Sequence, residues 1–372
     1  MAILHIQKSN QYRMKILLQH NQNEDDISGV LRYIQSMATG LKKKEVEVRI
    51  IATQNRYLNY YLENIAWADI VHLNSNHLLF AFLARLLRKK VILKYHYPIY
   101  ESTHFQYRKM NFSEQIQAEM IDSIPKWNYR LYDKTIYPIM RWARLGKRLV
   151  TASLANHHVA ASQILSKLCV LPWEVSNIYN PIEISDDFTP KKLKELSSPY
   201  TFVFAGRIHD DKGVDLLIKA TQLLLDKRQD FQVTIIGVGR DFELFQNLAS
   251  ELNVLSHVKF LGKLEHSEVL IHIKNALALV YPSRWQETVG YTVLEASSLQ
   301  TCSIVSKMGA LPEVASPSSF FFENEDLETL TNHLHYCLDN PEEAIARGLE
   351  ARKYVAEKFT LESSADQLLK YC

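Results

Sequence analysis

The chain is poor in glycine and proline, with eleven of each in 372 residues, about half their usual combined share. That scarcity excludes a collagen-like or low-complexity chain and makes each glycine worth reading. The four cysteines, Cys169, Cys302, Cys337 and Cys372, lie far apart and form no C-x-x-C pair. Their spacing speaks against a zinc site or redox dithiol and for a reducing compartment. An excess of one charge is also missing. Forty-three basic residues face 41 acidic ones, so no net field gathers nucleic acid, and no nucleic-acid-binding module is recognisable. No run approaches the ~18 apolar residues of a membrane span. The opening stretch 1–13 alternates apolar and polar residues, without the apolar core or cleavage site of a signal peptide. The expected location is cytoplasmic, with peripheral attachment at the inner membrane face left open.

What is present is an average globular composition, 47% hydrophobic and 23% charged, over the length of about two domains. In the first half the apolar runs Met14–Gln19, Val46–Ile51, Ile70–Leu73 and Val91–Tyr95 predict buried parallel strands. Val30, Leu31, Tyr33, Ile34, Met37 and Leu41 recur at helical spacing after Gly29, and Leu78–Leu87 predicts another helix. The span 113–146 reads as helical, with strands resuming at 149–152 and 158–161. A polar stretch, 185–199, is the linker candidate. The second half repeats the pattern. Tyr200–Ala205, Phe231–Ile236, Val258–Leu261, Ala276–Tyr281 and Thr301–Val305 read as strands, with helices at Val214–Lys227 and Tyr291–Leu299. Residues 341–372 read as helices broken near Phe359-Thr360. The fold class is therefore α/β, two facing Rossmann-like doubly wound domains with the active site in the cleft between them. The expected units are 1–190, 191–355 and a terminal helix, 356–372.

Chemistry concentrates at two predicted strand ends. Pro282-Ser-Arg-Trp-Gln-Glu-Thr-Val-Gly-Tyr-Thr-Val-Leu-Glu295 follows an apolar strand, with Glu287 in the loop and Gly290 permitting close backbone approach. Glu287 and Glu295 bracket a helix N-terminus whose free N–H groups favour an anion such as a diphosphate. The plainer reading is a helix-entry acid at Glu287 and a solvated Glu295. In Gly206-Arg-Ile-His-Asp-Asp-Lys-Gly213, Arg207 and Lys212 can converge and stabilise charge on a departing diphosphate. The plainer reading there is a βα turn with Asp210 or Asp211 as N-cap. Residues 97–148 carry ten aromatic residues and a late basic group, Arg130, Lys134, Arg141, Arg144, Lys147 and Arg148. Trp127, Tyr129, Tyr132, Tyr137 and Trp142 read first as packing, and otherwise as platforms for acceptor sugars. The basic stretch 130–148 reads as a solvated helix face or as a contact to a membrane surface, and Arg85–Lys90 shares that ambiguity.

Taken in order with Gly309-Ala-Leu-Pro-Glu313, these motifs resemble the family-4 retaining glycosyltransferases of the GT-B fold (glycosyltransferase group 1) from about Tyr200 onward. The first half resembles them through Ser28-Gly29, His96 and Asn180-Pro181-Ile182. The resemblance implies that Arg207 and Lys212 hold the donor diphosphate, that Glu287 bonds hydroxyls of the transferred sugar, and that Glu295 accepts the ribose hydroxyls. Gly206, Val289, Gly290 and Tyr291 would line the donor site. Gly29 would let the first domain approach it, the family's usual Gly-Gly being Ser28-Gly29 here. His96 matches the active-site histidine, followed by Tyr97 where an acid is common. The implied function is transfer of a hexose, with retention, from a nucleoside-diphosphate sugar, a UDP-sugar favoured. The acceptor would be a glycan, a glycolipid precursor or a small molecule, as in polysaccharide biosynthesis. No metal and no cofactor beyond that co-substrate is implied, and the terminal helix would cross back to the first domain. A sugar-nucleotide epimerase of the same fold and a non-catalytic nucleotide-sugar binding partner are the alternatives.

Overall fold

A computed structural model describes residues 13–22, 29–54, 56–100, 110–122, 131–185, 189–196 and 198–372. Ser28, the Asp25-Asp26 pair, Trp127, Tyr129 and Arg130 lie outside the described residues, as do the side chains of Tyr132, Lys134 and Tyr137. The first sheet contains β1 (Lys15–His20), β2 (Glu47–Ala52), β3 (Ile70–Leu73), β4 (Lys90–Tyr95), β5 (His157–Ala160) and β6 (Val175–Asn177), in the order β2-β1-β3-β4-β5-β6. The second contains β7 (Tyr200–Ala205), β8 (Phe231–Ile236), β9 (Val258–Gly262), β10 (Ala278–Tyr281), β11 (Cys302–Ser306) and β12 (Phe320–Phe322), in the order β12-β11-β10-β7-β8-β9.

Neighbouring strands pair in parallel in both sheets. Parallel sheets are covered on both faces, which is why their strands are continuous apolar runs rather than alternating ones. Ile16, Leu17 and Leu18 of β1 are all fully buried, as are Phe202, Val203 and Phe204 of β7. Crossover helices supply the cover. In the helix Gly29–Lys43, Val30, Tyr33, Ile34, Met37 and Leu41 are the buried face. That helix is covered in turn by the last one, Leu361–Leu369. A Cβ on Gly40 would lie 2.4 Å from the Leu361 carbonyl oxygen, so the glycine sets the approach of the two helices. The preceding helix, Pro341–Lys358, packs instead on the helix Tyr291–Ser298 and on β11 of the second half. The break between the last two helices is a built joint. Phe359 is buried, its carbonyl accepts the Ile182 N–H at 2.9 Å, and the Thr360 hydroxyl caps the next helix at Ser363 N.

Several local expectations need correction. Residues 149–152 are not a strand but the last turn of the helix Leu131–Ser153. A four-residue apolar run cannot be told from a buried helix segment by periodicity. Neither Asp210 nor Asp211 caps the following helix. Asp210–Lys212 form a 3₁₀ turn, and left-handed Gly213 precedes the helix Val214–Leu225. Arg141 does not belong to a basic surface, because it is buried in an ion pair with Glu119 at 2.6 Å. Trp142 packs half-buried against the core. The helix Leu58–Trp67 and the short strands β6 and β12 went unread. Among the described residues no helix is long and apolar enough to cross a membrane.

Candidate active site

The loops leaving β7 and β10 are stitched together. Gly213 has φ +68°, and a Cβ there would lie 2.0 Å from the Pro282 carbonyl oxygen, so only glycine permits the contact. The Asp211 carbonyl accepts hydrogen bonds from Arg284 N (2.9 Å), Trp285 N (3.1 Å) and the Ser283 hydroxyl (3.3 Å). Arg284 reaches back with both terminal nitrogens to Asp215, at 2.6 and 2.9 Å, and also pairs with Glu325. This bidentate clasp fixes one loop on the helix that follows the other.

The clasp directs Lys212 inward. Its ammonium is buried in an ion pair with Glu287, and both side chains are about nine-tenths covered. The same carboxylate oxygen, Oε1, accepts the Ser283 hydroxyl at 2.8 Å and the Tyr281 hydroxyl at 3.4 Å. Burial, reinforced by Glu287, pushes the Tyr281 hydroxyl well above its ordinary pKa and keeps it a donor. The third motif holds the backbone of Glu287. Gly309, at φ +57°, would bring a Cβ to 2.3 Å from the Glu287 nitrogen and carbonyl oxygen, and that carbonyl accepts Ala310 N–H at 2.6 Å. All three motifs thus converge on Glu287. Arg207 stays exposed at the rim, where its charge opposes the rise at Tyr281. Among the described residues it makes no ion pair.

Glu295 lies one loop and one helical turn farther on. Its Oε1 accepts from His266 Nε2 at 2.8 Å and pairs with Arg32, which comes from the first-half helix Gly29–Lys43. The Arg32 guanidinium also lies 5.9 Å from the ring centre of Tyr291. A Cβ on Gly29 would meet that ring at 3.2 Å. The start of the first-half helix therefore rests on the start of the helix Tyr291–Ser298, whose preceding Gly290 is left-handed at φ +77°. Val289 buries its side chain in the core and offers only backbone, and Gly206 packs near Phe204 and Tyr281. Glu313 ties the halves together a second time. Its carboxylate accepts from Gln163 N (2.8 Å), Ile164 N (2.9 Å) and the Tyr179 hydroxyl (3.2 Å).

His96 stands apart from this cluster and makes no hydrogen bond to it. It follows β4, is 7% exposed, and its Nε2 faces Asn74 Oδ1 at 3.1 Å. Burial, with Lys94 and His72 nearby, holds its pKa well below the ordinary histidine value. At neutral pH it is an uncharged hydrogen-bonding group. Beneath it lies a cluster that sequence reading missed. The Tyr33 hydroxyl meets His72 Nε2 at 2.9 Å, and Lys94 donates to the Ile178 carbonyl at 2.7 Å. The Lys94 amine also lies 3.9 Å from the centre of the Tyr33 ring. Arg32, Arg284 and Asn74 were missed as well. Lys94 carried a signal, being a lysine inside an otherwise apolar strand run.

The model of the family "Glycosyl transferases group 1" matches residues 185–354. A GDP-mannose-dependent monoacylated alpha-(1-6)-phosphatidylinositol monomannoside mannosyltransferase of Corynebacterium glutamicum is 29% identical over 187 residues, 48% of this chain and 49% of that relative. A D-inositol 3-phosphate glycosyltransferase of Corynebacterium aurimucosum is 26% identical over 229 residues, 59% of this chain and 53% of that relative. The chain thus spans about half the length of these curated relatives. The fold of nearly the whole chain matches Anabaena HepE, solved with UDP and glucose, with a TM-score of 0.69 at 14% identity over 96% of this chain and 99% of that one. The two Rossmann-like domains are those of the GT-B fold, and residues 185–354 are similar to the group 1 glycosyl transferases.

Proposed function

We propose that the protein is a retaining glycosyltransferase that moves a hexose from a nucleoside-diphosphate sugar to an acceptor bound on the first-half side. The observation that carries the reading is the buried Lys212–Glu287 pair at the ends of β7 and β10, in the half whose Glu295 and Tyr291 meet Arg32 and Gly29 of the first half. Ligands of open α/β sheets bind beyond the carboxyl ends of the strands, where this pair stands. In this reading the bond between the sugar C1 and the diphosphate oxygen breaks, and its electrons leave on the diphosphate. Lys212, Arg207 and the N–H groups at the start of Tyr291–Ser298 stabilise that charge, with no metal ion required. The acceptor hydroxyl attacks C1 from the face the diphosphate leaves and gives its proton to the departing diphosphate oxygen, so the anomeric configuration is kept. Glu287 orients the sugar hydroxyls, Glu295 takes the ribose hydroxyls in exchange for Arg32, and neutral His96 bonds the sugar from the first-half side.

The relatives bear on the donor through their names, GDP-mannose in one and UDP with glucose in another. A UDP-sugar is the favoured donor. A thermal-shift panel of UDP-, GDP-, ADP- and dTDP-sugars tests the choice, because native-state binding raises the melting midpoint. A shift confined to another base removes the UDP assignment, and no shift with any removes the transferase reading. The anomeric configuration of the isolated product checks retention.

A further inference from the structure

Two cavities of the first half share a wall. The polar one, about 360 Å³, lies at the ends of β1, β3 and β4. It is lined by Lys94, His96 and Asn74 and, from the helix Leu131–Ser153, by Arg144, Lys147 and Arg148. Among the described residues no carboxylate lines it. The second, about 560 Å³, is an apolar groove between Leu78, Leu79 and Phe82 on one helix and Val150 and Leu154 at the end of the other, with Lys147 again at its edge.

The polar cavity is short of negative charge. Lys94 is 2% exposed, and its amine meets the Ile178 carbonyl and the face of the Tyr33 ring, with no carboxylate partner among the described residues. Burial without an anion holds its pKa well below the usual lysine value. Arg148 likewise donates to a carbonyl, Ile99 O at 2.8 Å. An anion in the cavity would favour the charged form of Lys94 and meet Arg148 and Lys147 at once. The groove has the opposite character, and its surroundings extend it. Leu79, Phe82 and Leu86 lie along one helix face at i, i+3 and i+7 and are 48, 52 and 66% exposed. Ile139 and Val150, three turns apart on the neighbouring helix, are 68 and 50% exposed. Contiguous exposed apolar side chains rimmed by cations mark a surface for an apolar partner carrying negative charge.

We propose that the two cavities form one acceptor site for an anionic amphiphile, with its phosphate-bearing headgroup in the polar cavity and its hydrocarbon chain along the groove beside Phe82 and Val150. The proposal rests on the glycosyl-transfer reading and adds the class of acceptor. A neutral glycan leaves Arg148 without a counter-charge. A free sugar phosphate leaves the groove empty. The first turn of Gly29–Lys43 connects this site to the donor side, since Val30 lines the polar cavity while Gly29 touches Tyr291.

The test is calorimetric titration of the whole protein with dodecyl phosphate, glycerol 3-phosphate and dodecyl maltoside, each below its micelle concentration. The expected result is saturable binding of dodecyl phosphate, at least about tenfold tighter than either control, because each buried methylene contributes. Phe82→Asn should bring dodecyl phosphate down to the level of glycerol 3-phosphate. Lys147→Ala should weaken both phosphates and leave the maltoside unchanged. Glycerol 3-phosphate binding as tightly as dodecyl phosphate overturns the proposal, as does dodecyl maltoside binding as tightly. Dodecyl phosphate binding that is indifferent to both substitutions overturns it too. The same samples are titrated with the nucleotide sugar that raises the melting midpoint. Retained donor binding without amphiphile binding sinks the acceptor site alone, and loss of both sinks the transferase reading beneath it.

Discussion

The Lys212–Glu287 pair permits a test that separates chemistry from architecture. Both side chains are about nine-tenths covered, so each substitution strands a buried partner. Breaking a buried pair costs about 3–5 kcal/mol, mainly through the charge left behind. For Lys212→Met the low end applies, about 3 kcal/mol, because Ser283 and Tyr281 keep their hydrogen bonds to the stranded carboxylate. Glu287→Gln leaves the ammonium an amide oxygen in place of the carboxylate and should cost about 2 kcal/mol. In the double variant neither charge is stranded, and an uncharged pair of similar volume should lie within about 1 kcal/mol of the parent. The two costs therefore do not add. Turnover behaves differently. Removing either group takes away an interaction with the developing diphosphate charge or the sugar, so all three variants should lose about 10²–10³ in kcat. The assays are urea unfolding midpoints at constant m and release of the nucleoside diphosphate from the donor that shifts the melting midpoint. Additive destabilisation would refute the coupling. Turnover restored in the double variant would refute the catalytic assignment and leave the pair as packing alone.

Three further outcomes follow from the geometry. Arg32 occupies Glu295 while partly exposed, so the pair is worth at most about 1 kcal/mol. Arg32→Ala should then tighten binding of the free nucleoside diphosphate up to about fivefold, whereas Glu295→Ala weakens it. Weaker binding in Arg32→Ala would make Arg32 a donor ligand rather than a competitor. Gly309→Ala places a methyl 2.3 Å from the Glu287 backbone at positive φ and should cost more than about 2 kcal/mol and most of the turnover. Parent-like melting and turnover in that variant would disprove the role of the turn. His72, fully buried, has its pKa pushed down from 6.5 to about 3 by desolvation and Lys94. Between those values the unfolded chain binds a proton that the folded one does not. Stability should therefore fall as pH drops below about 6.5, by up to about 1.4 kcal/mol per unit, with His96 adding in the same direction. Unfolding midpoints that stay level between about pH 7 and 5 would contradict this.

What the sequence made legible was whatever a single segment encodes. The strand ends that carry Arg207, Lys212 and Glu287 were readable because β7 and β10 are apolar runs stopped by Gly206 and Pro282. The placement of Gly213 and Gly309 needed no partner to be noticed, because glycine was scarce. The reason for each did need one, since Gly213 is there for Pro282 and Gly309 for Glu287, 69 and 22 positions away in sequence. Short elements failed for a related cause. Residues 149–152 and 320–322 are apolar runs too brief to show a period, and the neighbouring element decides whether they continue a helix or join a sheet edge. Arg141 looked like a surface charge until the helix Phe112–Asp122 brought Glu119 against it.

The contacts that sequence could not show are those between the halves, and they change the reading of the site. Glu295 is paired with Arg32 and Glu313 with the start of the helix Gln163–Leu168, so residues that sequence assigned to donor binding or to a local turn also hold the two sheets together. Under the proposed function, a nucleotide that takes Glu295 displaces Arg32 and so loosens one of these two ties as it binds. Glu313 does not take part in that exchange. Its carboxylate is satisfied by two backbone N–H groups and the Tyr179 hydroxyl. The same proposal leaves the joint at Glu313 in place while the joint at Glu295 opens.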